Sequence, residues 1–164
     1  MNPDALSDLV LLAACAASAW RVAVVRAAWR GAMLLLGLAA AMGVLRYSGL
    51  EWALGPHRFF SLLAACVAFW LMVAALRWPQ APLARQATAV GRFVVLLGGL
   101  GIAASQVGAA WWAQVVPGLS ALVLAWTMVQ QRSALGLLGS VAMVASVVVA
   151  ALAAPDVQLL GMFN

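Results

Sequence analysis

The chain has 164 residues, of which 67% are hydrophobic and only 8% are charged, and its formal net charge is +5. An aqueous domain of this length cannot bury so much apolar surface, so a soluble fold is excluded. The basic excess does not indicate nucleic-acid binding, because the nine arginines lie at the ends of apolar stretches and form no soluble basic face.

Six apolar stretches are each long enough to cross a bilayer, which takes about 20 residues per helix. Backbone groups in lipid must be hydrogen-bonded within the segment, and continuous apolar runs favour helices over a barrel. We therefore predict an all-α fold, a polytopic integral membrane bundle of six helices that forms one transmembrane domain over residues 1–164. The predicted spans are about 7–25, 31–46, 58–76, 89–106, 110–130 and 134–153.

Short connections group the predicted spans into three helix hairpins. Arg26–Gly31 joins the first two spans, and Trp78–Pro82 joins the next two, with prolines that end the third span. Gln130–Ser133 joins the last two, and Ser133 is a predicted N-cap. Pro117 is expected to kink the fifth span.

The sequence Leu-Leu-Ala-Ala-Cys occurs twice, at 11–15 and at 62–66. Two interpretations stay open: a parallel repeat of helix hairpins, or a coincidence in a chain rich in Ala and Leu. Both cysteines fall within predicted spans, where a free thiol packs as a small hydrophobic group. We expect neither a disulfide nor a metal site from them.

The charges divide unevenly between the two sides of the predicted membrane. One side has seven arginines and no acid: Arg21, Arg26, Arg30, Arg77, Arg85, Arg92 and Arg132. The other side has a net charge of −2 from Asp4, Asp8, Arg46, Glu51, Arg58 and Asp156. The positive-inside rule then predicts both termini on the periplasmic side of a bacterial inner membrane. The bacterial source is inferred from the lysine-free, Ala- and Gly-rich composition.

Glycines are concentrated in the second and fourth spans. Glycine lets helix backbones approach closely, and close packing holds a bundle together in lipid. We predict tight packing at these positions in preference to a ligand channel, with Gly98 or Gly99 facing a neighbouring helix.

The chain's only histidine, only glutamate and only tyrosine all lie between positions 47 and 57. Gly49 is suited to ending the second span and Pro56 to the first turn of the third, which predicts a short outer loop. From His57 onwards, Ser61 and small residues recur at helical spacing on one face. These residues make the segment 46–61 the candidate site.

The predicted function is that of a binding or structural membrane protein, which holds a lipid-like ligand or a partner subunit at its outer face. The predicted ligand-binding residues are Arg46, Tyr47, Glu51, Trp52 and Arg58. The alternative is a lipid hydrolase or transferase in which His57 takes a proton from Ser61 or Ser48, with Glu51, Asp4, Asp8 or Asp156 orienting the imidazole. A third class is an uncoupled channel or carrier.

Other functional classes are disfavoured by what the sequence lacks. One histidine with scattered acids does not make a metal site, and no phosphate-binding, dinucleotide-binding or haem-ligating motif occurs, so no cofactor is expected. The middles of the spans carry no ionisable pair for coupled transport. The expected partners are membrane lipids and a second copy or another membrane subunit, with no nucleic acid.

Overall fold

The computed structural model describes residues 3–21, 26–109, 111–134, 136–145 and 148, and no strand occurs among them. The predicted all-α class is confirmed. The elements are α1 (Pro3–Arg21), α2 (Ala27–Tyr47), a 3-10 turn (Glu51–Ala53), α3 (Leu54–Leu63), a π-helical segment (Ala64–Ala68), α4 (Phe69–Arg77), α5 (Pro82–Arg85), α6 (Ala87–Gln106) and α7 (Trp112–Gln130). A further apolar helix, α8, covers Gly136–Ala145.

Four helices are long and apolar enough to cross a membrane: Pro3–Trp20 of α1, the whole of α2, the continuous run Glu51–Arg77, and α6. The apolar part of α7 and the described part of α8 are shorter. The described part of the chain is therefore all-helical, with four membrane-length helices, and six spans in three hairpins stay a prediction. Much of the predicted sixth span and Asp156 lie outside the described residues.

The third membrane helix begins earlier than predicted. The sequence predicts a span from residue 58 after an outer loop, but the helical run already starts at Glu51. Residues 48–50 alone connect α2 to this helical run, because Gly49 adopts φ +97° and ends α2. Its N–H donates to the Arg46 carbonyl at 3.1 Å, and the Leu50 N–H donates to the Leu45 carbonyl at 3.2 Å, which is a Schellman ending.

α2 is the central helix, and its three glycines between them face four neighbouring helices. Gly31 faces α4 and α6, Gly37 faces α1, and Gly43 faces both α1 and α3. Successive members of this set are six residues apart, which turns a helix by roughly 240° at 3.6 residues per turn. The three glycines therefore point in directions about 120° apart.

Helix backbones come close at these positions because no side chain separates them. A Cβ atom on Gly31 would lie 2.9 Å from Val90 Cγ1 and 3.3 Å from Leu71 Cδ1, and one on Gly37 would lie 3.6 Å from Cys15 Cβ. The α1–α2 pair, which runs antiparallel, is also held by a hydrogen bond from Trp29 Nε1 to Ser18 Oγ at 3.1 Å.

The π-helical segment Ala64–Ala68 forms the middle of the core. Cys66, Val67 and Ala68 are fully buried there, next to Ala32 of α2 and Leu71 of α4 in one apolar cluster. The segment packs against α2, α6 and α7. Single π turns inside α-helices are rare and often occur where function requires an altered register.

The two cysteines of the repeated pentapeptide occupy similar surroundings. Both are free and buried, and each packs on a glycine of another membrane-length helix: Cys15 on Gly37 and Cys66 on Gly101. The indole nitrogen of Trp112 also approaches Gly101. The repeats differ in conformation, since the first is α-helical and the second enters the π-helical segment, so the hairpin repeat stays a hypothesis.

The connections at the arginine-rich end match local expectations. α4 ends at Arg77, just before the prolines, and Ser133 Oγ accepts the Gly136 N–H at 3.1 Å, which confirms the predicted cap. Gln131 adds a contact that the sequence did not predict, because its Nε2 donates to the Leu76 carbonyl at 3.1 Å. This bond attaches the end of α7 to the end of α4.

Gly98 and Gly99 form a matched pair for testing the packing of α6. A Cβ atom on Gly98 would overlap Leu63 and lie 3.7 Å from Val67 Cγ2, whereas a Cβ on Gly99 meets nothing within 4 Å. Gly98→Leu should lower the free energy of unfolding by about 1–3 kcal/mol through overpacking. Gly99→Leu gains the same helix propensity without the clash, so it should be neutral or slightly stabilising.

The measurement is the unfolding of both variants in mixed detergent, followed by tryptophan fluorescence. Equal stability of the two variants would show that α6 does not pack through Gly98.

Candidate functional site

Four of the predicted site residues line one cavity. Arg46, His57, Arg58 and Ser61 surround an open depression of about 350 Å³, and Leu62 and Ala65 complete its wall. Arg46 lies in the last turn of α2, and the other three polar residues lie on α3. The cavity therefore has a basic rim at the helix ends and an apolar side that runs towards the membrane interior.

The ending of α2 places Arg46 at this rim. The Schellman turn at Gly49 ends the helix at Tyr47, one residue after Arg46, so that the Arg46 side chain stands at the end of the bundle. Its guanidinium carbon lies 4.9 Å from the centroid of the Tyr47 ring, which is a cation–π contact. Tyr47 in turn meets His57 edge to face, with ring centroids 6.0 Å apart.

Tyr47 therefore supports the cavity from its side and does not line it. This aromatic contact orders Arg46 and His57 relative to each other. The sequence indicated that the three residues belong to one site, but helical spacing alone does not show which of them stack.

His57 is anchored to the backbone of α2. Its Nδ1 lies 3.3 Å from the Ala39 carbonyl oxygen. A carbonyl oxygen only accepts, so this contact places a proton on Nδ1. The long distance makes the bond weak, and it leaves Nε2 available for a ligand or a proton.

Asp8 is the acid that the fold brings to the histidine. Its Oδ2 atom is buried and has no hydrogen-bond partner among the described residues. A Cβ atom on Gly43 would overlap the Asp8 carboxylate and lie 3.2 Å from His57 Cε1. The missing side chain of Gly43 thus provides the space in which the carboxylate and the imidazole meet.

The other acids named from the sequence are placed differently. Glu51 is exposed on the 3-10 turn, beside Trp52, which is 62% exposed, and neither lines the cavity. Asp4 is exposed in the first turn of α1. Asp156 lies outside the described residues.

Ser48 and Ser61 are the two hydroxyl partners that the sequence predicts for His57, but they differ in the structure. Ser48 Oγ donates to the Val44 carbonyl of its own helix at 2.7 Å and is exposed. Ser61 is half-buried and shares the cavity with His57. Of the two predicted hydroxyl partners, Ser61 is the one in the cavity.

The arrangement offers cationic and hydrogen-bonding groups to an anion. Two guanidiniums at one rim match the oxygens of a phosphate or carboxylate, and the Ser61 hydroxyl adds a neutral donor. Within the described part of the chain, no three His, Cys, Asp or Glu side chains converge as metal ligands would.

Comparison of the chain with protein-family models, with curated proteins and with solved structures gives no match. The geometry of this cavity is therefore the basis for the proposed function.

The role of Gly43 can be tested through the single histidine, which gives one imidazole Hε1 signal in an NMR spectrum. Gly43→Ala places a methyl group where the Asp8 carboxylate and His57 Cε1 meet, so both groups must move. We expect the His57 signal to shift and a ligand-free sample to lose thermal stability. The matched control, Gly99→Ala, adds its methyl group to open space and should leave the signal in place. An unchanged signal in Gly43→Ala would show that Gly43 does not set the position of the imidazole.

Proposed function

We propose that this chain is a small integral membrane protein of the binding type, which holds an anionic lipid headgroup in the cavity bounded by Arg46, His57, Arg58 and Ser61. The observation that carries the proposal is that these four polar residues share one cavity, which has an apolar side formed by Leu62 and Ala65. A cavity that is basic at the rim and apolar below has the polarity of a phospholipid at the boundary between headgroup and acyl chain.

The chemistry of the rim suits phosphate. A guanidinium binds two oxygens of one anion in parallel, and it stays charged at every physiological pH. Arg46 is held against Tyr47, so less of its side-chain freedom is lost on binding. With about 350 Å³, the cavity is at the small end of ligand pockets, which suits a headgroup with the start of one chain.

Retention of an anionic lipid tests the proposal. In nanodiscs or mild detergent, Arg46→Ala and Arg58→Ala should each weaken binding of phosphatidylglycerol by about tenfold, as expected for loss of one charge-assisted contact. Arg92→Ala is the matched control, because Arg92 is an exposed arginine on α6 that does not line this cavity. Native mass spectrometry measures the bound lipid. Equal retention in all three variants would contradict the proposal.

A second candidate function is lipid hydrolysis or transfer. It is favoured by the meeting of the Asp8 carboxylate and His57 over Gly43, with Ser61 in the same cavity. His57 Nε2 would take a proton from Ser61 or from a bound water, and the nearby Asp8 carboxylate would stabilise the imidazolium that forms. In the retention experiment, His57→Ala separates the candidates: an enzyme loses turnover of the bound lipid and keeps binding, whereas a binding protein shows no turnover in any variant.

We also propose that the chain has six spans in a bacterial inner membrane, with both termini in the periplasm and the cavity at the outer face. The proposal is supported by the seven arginines that the predicted topology assigns to one side. Arg30 and Arg85, which are distant in sequence, line a common cavity, whereas Asp8 and His57 meet at Gly43 near the other end of α2.

The topology is measured by thiol labelling of single cysteines in a Cys15→Ala/Cys66→Ala background. We expect Ser48→Cys to react with a membrane-impermeant maleimide in intact cells. Gln80→Cys should react only after the membrane is permeabilised. The reverse pattern would contradict the orientation, and labelling of both positions in intact cells would contradict the number of spans between them.

A further inference from the structure

Two cavities and an apolar groove adjoin one another at the arginine-rich end of α2. Arg30 lines a cavity of about 380 Å³ together with Arg85 of α5 and Val90 of α6. It also lines a cavity of about 460 Å³ on the other side, with Trp20 of α1. Arg30 is the one residue that lines both, so the two cavities lie on either side of its side chain, and we call them together the Arg30 basin.

The apolar groove leads from this basin towards the membrane interior. It runs between α1 and α2, has a volume of about 210 Å³, and is lined by carbon and thiol groups from residues such as Cys15, Met33 and Gly37. Ala16 and Ala19 line both the groove and the basin. The groove exists because Gly37 has no side chain, which leaves space beside the close contact of α1 with α2.

Counted from Arg30 in the basin, the groove reaches about as deep as one leaflet. From Arg30 to Ala41, the last α2 residue that lines the groove, the helix rises about 16 Å at 1.5 Å per residue. Half of a hydrocarbon core of about 30 Å is about 15 Å. A chain that starts at the level of Arg30 and fills the groove would therefore end near the middle of the bilayer.

The charges at this end are not neutralised within the described part of the chain. The acids of the described part all lie at the opposite end of the bundle, on the first turns of α1 or on the 3-10 turn: Asp4, Asp8 and Glu51. Arg30 is exposed. Arg85 donates to Gln80 Oε1 at 2.9 Å through one nitrogen, and a guanidinium keeps further donors after one such bond. Trp20, which is 86% exposed, has the amphipathic ring typical of the headgroup level.

We propose that the Arg30 basin and the apolar groove together bind one phospholipid of the leaflet opposite to the Arg46–Arg58 cavity. Arg30 and Arg85 hold its phosphate, and one acyl chain lies along α2 over Gly37. Charge complementarity and the match between groove length and leaflet depth identify the occupant as a lipid with both a phosphate and a long chain. This site does not depend on the function proposed for the other end of the bundle.

The test uses the full chain with Arg46→Ala and Arg58→Ala, so that lipid bound at the other cavity does not contribute. The delipidated protein is titrated with dioleoylphosphatidylglycerol and followed by native mass spectrometry. Arg30→Gln should raise the half-saturation concentration about tenfold through loss of a charge-assisted contact. Ala16→Trp, which fills the junction of groove and basin, should do the same.

Matched controls separate these effects from general damage. Ala17→Trp places the same ring on an exposed α1 position outside the groove, and Arg92→Gln removes an exposed arginine outside the basin; both should bind as the parent does. Glycerol phosphate, which has the anion without the chain, should not compete. Arg30→Gln changes an exposed side chain, so it keeps the test valid if a tryptophan variant does not fold.

Parent-like binding by both Arg30→Gln and Ala16→Trp would overturn the proposal. Competition by glycerol phosphate would overturn it as well, since it would identify a site for free phosphate. A co-purified protein that is displaced by Ala16→Trp, with lipid binding unchanged, would show that the groove is a subunit interface. If only this site fails, the Arg46 and Arg58 results for the other cavity still stand.

Discussion

The close approach of α2 to its neighbours is the constraint on which the rest of this bundle depends. In lipid, apolar side chains gain little by leaving the solvent, so cohesion must come from packing distance. Gly31, Gly37 and Gly43 supply that distance in three directions. Each contact also has a second role, because the apolar groove lies beside Gly37 and the acid–imidazole pair lies over Gly43. The glycines of α2 therefore account both for the close packing of the bundle and for its binding surfaces.

The Asp8–Gly43–His57 arrangement shows why this matters for chemistry. A buried carboxylate oxygen without a hydrogen-bond partner is costly in an apolar environment, and Asp8 Oδ2 is such an oxygen among the described residues, at the place where α1 meets Gly43 of α2. The imidazole is held from the other side by the Ala39 carbonyl and the Tyr47 ring. The position of His57 is thus set by α1 and α2, although the residue belongs to α3.

Features that depend on local sequence could be predicted, and those that depend on contacts between helices could not. The end of α2 at Gly49, the end of α4 before Pro79 and the cap at Ser133 follow from residue types within a few positions. The shared cavity of His57 and Ser61 follows from helical spacing. In contrast, the choice of Asp8 among the three described acids depends on how α1 lies against α2. The early start of the third membrane helix could not be predicted either, because Glu51–Ala53 carries no strong helix signal of its own.

The π-helical segment is the clearest case of tertiary control, since the identical pentapeptide in α1 is α-helical. The π-helical segment also determines how the protein would respond to a change in the length of this helix. A π turn accommodates about one residue more than an α turn, which is a rotation of roughly 100°. The rotational position of the first part of the helix, with His57 and Ser61, is therefore set separately from that of the last part, with Leu71 and Ala75. A one-residue deletion within Ala64–Ala68 would restore an ordinary helix and leave each half well formed. The cavity would nevertheless be lost, because its α3 wall would turn away from Arg46.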